Sequence, residues 1–214
     1  MPAPKLRGIE AKKKFVATHT VRCVWHSRLA PGERLRCCCG NPLEGEYFEF
    51  LYVGESGEGT LCTGPSCGGE LTSESNRIGR PIADPGYFDP YGLGAQVRQP
   101  RPGEGGEQGV IRAAPGNREM ITAISLLLFF WKKKDGPLLD VRSALRQNPQ
   151  REPQEWEIRM LNKAVGTTCS YRPGVETLRQ LLAAECRRKG VPGRNFRFPF
   201  LEQRLRELGA QSHL

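Results

Sequence analysis

The sequence predicts an α+β protein, a small β-rich module joined by a Pro/Gly-rich linker to an α-helical domain. Three observations carry this expectation. Apolar and polar residues alternate with period two early in the chain, six prolines and eight glycines crowd residues 81–118, and apolar residues recur at three and four positions after residue 119. The expected divisions are a basic arm at 1–14, the β-rich module at 15–80, the linker at 81–118 and the helical domain at 119–214.

The arm is read from its polar, basic composition, with Lys12, Lys13 and Lys14 lacking an apolar repeat around them. A first strand is expected over Phe15 to Trp25, where Phe15, Ala17, His19, Val21 and Cys23 alternate with their neighbours. Leu29-Ala30-Pro31-Gly32 marks a turn. A second strand runs from Tyr47 to Val53, the glycines of Glu55-Ser56-Gly57-Glu58-Gly59 supply a hairpin loop, and the return strand begins at Thr60. Within the linker, Tyr87-Phe88-Asp89-Pro90-Tyr91 places three aromatics in five residues, a composition suited to docking.

Helices are expected at Glu119 to Lys134, acidic at its start and basic at its end; at Asp140 to Gln147; at Pro153 to Val165, with Trp156, Ile158, Met160, Leu161 and Ala164 on its apolar side; at Pro173 to Lys189, stopped by Gly190; and at Phe200 to Leu208. The longest apolar stretch, Met120 to Trp131, is too short for the roughly 20 residues a membrane-crossing helix needs.

Eight cysteines are present, and six precede residue 70. Met1-Pro2-Ala3-Pro4 leads into lysines with no apolar core or cleavage site, so the expected compartment is the reducing cytoplasm, where clustered thiols more often ligate metal than form disulfides. Cys37 and Cys39 ahead of Gly40 can present two thiolates from one tight turn. A hairpin returning to Gly64-Pro65-Ser66-Cys67 then brings Cys62 and Cys67 near. The expected site is structural zinc on Cys37, Cys39, Cys62 and Cys67, with Cys23 and His26, a C-x-x-H pair, as alternative donors and Cys38 as a spare. Two other readings compete: buried thiols packed as small hydrophobes, and a redox role for the vicinal run.

The order C-x-C-G, hairpin, G-x-x-C and short helix, carried by Cys37, Cys39, Gly40, Gly64 and Cys67, resembles a treble-clef type zinc-binding segment over residues 37–71. Such segments occur in small proteins of phages, large DNA viruses and mobile elements. The resemblance implies a structural zinc ion.

Positive charge gathers late: residues 119–214 hold 17 basic and 10 acidic side chains, within a formal net charge of +9. Arg187-Arg188-Lys189 closes a helix and Arg194-Asn195-Phe196-Arg197-Phe198 follows, alternating cations with aromatics as phosphate contact and base stacking require. The same residues also serve as ordinary surface charge, and the cationic helix end complements its dipole. Anionic lipid ranks last as a partner for Lys132-Lys133-Lys134. No H-E-x-x-H, G-x-S-x-G or phosphate-cradling glycine loop is present, and Cys23 with His26 is the one nearby thiol–imidazole pair. The leading expectation is a non-catalytic, zinc-binding protein that contacts nucleic acid; the others are a protein-interaction adaptor and a zinc-dependent enzyme.

Overall fold

A computed structural model describes residues 4–55, 57–91, 113–131 and 135–214, and the chain divides into two compact units, 1–89 and 90–214. The fold is mixed α+β, with strands confined to the first unit among the described residues.

The first unit opens with helix α1, Gly8–Thr18, followed by strand β1, His19–Arg28. Residues 8–14, expected as a basic arm, and Phe15 to Thr18, expected as strand, are therefore helical. A long-range contact explains the difference: Lys12 is 2% exposed, its ammonium pairs with Glu70 at 2.5 Å, and Phe15 and Val16 are buried beside it. One face of the helix is thus anchored by a residue 58 positions away, which no local pattern reveals.

Strand β1 pairs antiparallel with β4, Glu46–Gly54, which pairs antiparallel with β5, Gly57–Thr63, giving a three-stranded sheet in the order β1-β4-β5. A bulge between Cys23 and Trp25 inserts Val24 and switches the faces of β1. Before it, Cys23 lies opposite Phe50; after it, His26 lies opposite Phe48 and stacks on it with ring centroids 3.9 Å apart. The face bearing Phe48, Phe50 and Tyr52 receives both helices. Phe15 of α1 meets Tyr52 edge-on at 5.2 Å, and helix α2, Pro65–Arg77, lies over Thr63 and Phe48. Gly68 permits that approach, because a Cβ there would sit 2.8 Å from Thr63 Oγ1 and 3.1 Å from Phe48 Cδ2.

Between β1 and β4, two short strands, β2 (Leu35–Arg36) and β3 (Pro42–Leu43), form a hairpin whose loop is Cys37-Cys38-Cys39-Gly40-Asn41. The stretch from 82 to 88, assigned to the linker on composition, belongs to the first unit. Phe88 bridges to Ser27, donates its N–H to the His26 carbonyl at 2.9 Å, and packs on the fully buried Trp25. Of the rest of the predicted linker, 92–112 lies outside the described residues, while Pro115–Arg118 form the first turn of a helix, Pro115–Phe130, because a proline that ends one helix can equally open another at its first position.

The second unit contains α3 (Pro115–Phe130), α4 (Pro137–Gln147), α5 (Glu155–Ser170), α6 (Leu178–Lys189) and α7 (Pro199–Glu207). Proline occupies the first turn of α3, α4 and α7, where no intrahelical N–H bond is lost. Met120, Ile124, Leu127, Leu145, Leu161 and Leu201 are fully buried and form its core. Two polar devices tie the helices. Asn117 donates from Nδ2 to the carbonyls of Leu145, Asn148 and Arg151, satisfying the end of α4, and the Glu119 carboxylate accepts from the N–H groups of Phe200 and Leu201 at the start of α7. Helix α6 starts at Leu178 rather than Pro173, since Thr177 and Gln180 build a capping box there. Trp156, expected with Ile158 on an apolar side, is instead 54% exposed, because residues two apart on a helix face opposite ways. The predicted basic finish of α3, Lys132-Lys133-Lys134, lies outside the described residues.

Candidate metal centre

The Cys37-to-Asn41 loop closes on itself: Cys37 donates its N–H to the Asn41 carbonyl, and Gly40 donates to the Cys37 carbonyl, each at 2.8 Å. Gly40 adopts φ +96°, a conformation that side-chain-bearing residues resist, and this lets the loop curl tightly. The loop is pinned to the open edge of β5, where the Cys38 N–H donates to the Cys62 carbonyl at 2.8 Å. Before α1, Leu6 donates to the Cys38 carbonyl at 2.7 Å and Arg7 Nε to the Cys39 carbonyl at 3.0 Å.

Helix α2 begins beside this loop, and its first turn carries Cys67. The sulfurs of Cys37, Cys38 and Cys67 all lie within 4.8 Å of one another, and the Cys39 side chain hydrogen-bonds to both Cys37 and Cys67. Four thiols from a hairpin loop and a helix start therefore meet at one point, with the donor chemistry to hold a metal ion. Around a tetrahedral zinc with sulfur at about 2.3 Å, sulfurs stand about 3.8 Å apart, so Cys37, Cys38 and Cys67 would need to draw together by about an ångström or less, with Cys39 turning in as the fourth donor.

The electrostatics suit thiolates. Burial pushes the Cys37 thiol up, but backbone N–H groups of Cys39 and Gly64 pointing at its sulfur, together with the Cys39 and Cys67 side chains, outweigh burial and bring it below its ordinary range. Burial first, then the bond to Cys37 and its charge, push Cys67 up to about 11, with Lys12 opposing the rise. Cys38 is driven far up by burial and by the charges of Cys37 and Cys67. One thiol thus ionises readily while its neighbours resist sharing the negative charge. A bound cation removes that conflict. Lys12 supplies part of the compensation already: burial opposes its charge, but hydrogen bonding to Glu70 and the Cys67 sulfur raises its pKa overall.

The other predicted donors sit elsewhere. In β5, Leu61 and Thr63 face the helices, and strand alternation turns Cys62 to the other face, opposite Glu49. Its carbonyl accepts from the Cys38 N–H of the loop. Cys23 is buried, with its thiol directed at the Trp25 carbonyl 3.7 Å away. His26 is held between two carboxylates, Nδ1 at 3.1 Å from Asp84 and Nε2 at 2.9 Å from Glu46. Both ring nitrogens are engaged, and the imidazole fastens the 82–88 stretch to the sheet. Cys38, read from sequence as a spare, lies inside the cluster.

The predicted cationic set divides as well. Arg188 makes a two-pronged bond to Glu185 at 2.7 and 2.9 Å. Lys189 also reaches Glu185, at 3.2 Å, and donates to the hydroxyl of the buried Tyr91 at 2.7 Å. Arg187, Arg194 and Arg197 are exposed, but Phe196 and Phe198 are buried and offer no free ring face for stacking. The Arg194 guanidinium lies 5.2 Å from the Phe196 ring centroid. No helix among the described residues is long and apolar enough to cross a membrane.

A family model described as "Uncharacterised conserved protein UCP028583" matches residues 5–213. No curated protein and no solved structure matches the chain.

Proposed function

This chain belongs to the family of uncharacterised conserved proteins UCP028583, and we propose that it is a non-catalytic zinc-binding protein whose ion staples the first unit, while the basic second unit associates with nucleic acid. The observation that carries the metal reading is the convergence of Cys37, Cys38, Cys39 and Cys67 beneath the buried Lys12 ammonium. A site with four thiolates around zinc leaves no open position for substrate or water, which is the structural rather than the catalytic pattern. The succession of a cysteine loop ending in glycine, the β4–β5 hairpin, and a helix with Cys67 in its first turn supports the treble-clef-like reading.

A site that ties the loop before β3 to the start of α2 forms only when the first unit folds, so the free energy of ion binding would contribute directly to folding. The test is metal content of untagged protein, with Cys39→Ser and Cys67→Ser compared. One equivalent of zinc in the wild type, lost in both variants together with protection of the first unit from proteolysis, is the expected result. A metal-free, folded wild type would overturn the reading.

The nucleic-acid reading rests on the net charge and on exposed Arg187, Arg194 and Arg197. Binding of a labelled oligonucleotide should fall steeply with added salt, and the triple substitution of these arginines by alanine should flatten that slope. Binding indifferent to salt, or unchanged in the triple variant, would remove it.

A further inference from the structure

Among the described residues of the second unit, two large hydrophobic side chains are exposed: Trp156 at 54% and Tyr171 at 81%. Both fall on one stripe. Trp156, Met160, Lys163, Ala164, Thr167 and Tyr171 are spaced so that they cover a band about 100° wide along α5, the width of an apolar face that ordinarily meets another element. Beside the C-terminal half of this stripe, Trp131 at the end of α3 forms a wall. Its indole Nε1 donates to Thr168 Oγ1 at 3.2 Å, so its polar group is satisfied within the unit. The groove so formed encloses about 530 Å³.

Charge in the groove has one sign. Among the described residues, no Asp or Glu lines it and the Lys163 ammonium has no ion-pair partner. At the Tyr171 end, Arg172 follows, its guanidinium 5.4 Å from the centroid of Phe130. At the other end Glu155 is already paired with Arg159 at 2.8 Å. A second copy of this chain is a poor occupant. Lys163 stands at the midpoint between Trp156 and Tyr171, so an antiparallel two-fold pairing of α5 stripes would set Lys163 against its own counterpart across an apolar seam. Nucleic acid is also poorly served, since the lining is mostly apolar and, among the described residues, holds a single cation.

We propose that the α5 groove docks an amphipathic helix of another protein, with apolar anchors between Trp131, Met160 and Tyr171 and an acidic residue against Lys163. This is the helix-in-groove mode, in which exposed Trp and Tyr act as anchor points and the charge sets orientation and choice of partner. It stands independently of the metal centre, which lies in the other unit.

The test uses the full-length protein and a fluorescein-labelled synthetic helix of about 18 residues, long enough to follow the stripe. Its leucines recur at three and four with glutamates on the flanks, and a twin carries lysine in place of each glutamate. Fluorescence anisotropy should show the acidic peptide binding about tenfold or more tightly than its twin, a difference of one charge-pair class in affinity. Tyr171→Ala should weaken the acidic peptide about tenfold, as loss of an anchor does. Lys163→Glu should reverse the preference between the twins. Because Tyr171 and Lys163 are both exposed, melting temperatures of the two variants should match the wild type. Equal binding of the twins, indifference to Tyr171→Ala, or no reversal in Lys163→Glu would overturn the proposal. So would a dimer, or binding of oligo-dT or anionic vesicles, that Tyr171→Ala abolishes while the acidic peptide fails to bind.

Discussion

Lys12→Met isolates the electrostatic part of the metal centre from its ligands. The side chain is 2% exposed and its ammonium lies between Glu70 and the Cys67 sulfur, so methionine fills much of the same space while removing one positive charge. Four thiolates around a divalent zinc leave two negative charges in a partly buried site. A cation in contact with one of them is worth up to about 4 kcal/mol at an effective dielectric near 20. Glu70 already draws on that charge from the other side, so the net loss should be smaller. Removal of a group supporting metal ligands typically costs about 10- to 100-fold in affinity, or about 1.4 to 2.7 kcal/mol. Competition for zinc against a chromophoric chelator at neutral pH reads this directly. Glu70→Gln serves as the control, because it leaves the ammonium facing Cys67 and should retain wild-type affinity or better. A Lys12→Met protein that is folded and binds zinc as tightly as wild type would refute the charge-compensation argument.

Further outcomes follow from packing and titration. Asn117→Ala removes the Nδ2 donor shared by the carbonyls of Leu145, Asn148 and Arg151, in and after the last turn of α4, and should lower stability by about 2 kcal/mol, seen as a fall in the second unit's melting temperature; an unchanged melting curve would contradict the role assigned to Nδ2. Gly68→Ala brings a methyl group against Thr63 and Phe48 and should cost about 1–3 kcal/mol in the first unit through overpacking, checked by chemical denaturation. Glu185 has its pKa lowered, first by Arg188, with burial opposing and Lys189 assisting. Its contribution is therefore full above the ordinary glutamate range and lost as pH falls through the depressed folded value, where the unfolded chain binds the proton first. The gap in stability between wild type and Glu185→Gln should accordingly close on acidification below the ordinary glutamate range; a gap that widens there reverses the sign.

Local pattern carried much of the helical unit. Apolar spacing located α3, α4, α5, α6 and α7 with ends displaced by a few residues, whereas the prolines that open α3, α4 and α7 lay just outside the expected spans. The alternation over residues 47–53 and the glycines after it likewise located β4 and β5. Helix α1 escaped because its stability depends on burying Lys12 against Glu70, and a lysine in a basic run reads as solvated until the distant carboxylate is seen. In the candidate site, Cys37, Cys39 and Cys67 were legible from their spacing around Gly40 and Gly64. Membership of Cys38 depends on the curl of a loop flanked by two-residue strands too short to announce themselves. The orientation of Cys62 was within reach, since the apolar Leu61 already marks which side of β5 is buried. Engagement of Arg188 and Lys189 by Glu185, three and four residues earlier, was also written in the helical spacing. His26 was not legible in this way: Asp84, which holds it, lies 58 residues on.

Zinc K-edge X-ray absorption on the protein purified without a tag tests the metal assignment most directly. The account predicts one zinc per chain with four sulfur neighbours at about 2.3 Å and no nitrogen or oxygen in the first shell. A first shell containing imidazole or carboxylate, or a folded protein that carries no zinc at all, would contradict it.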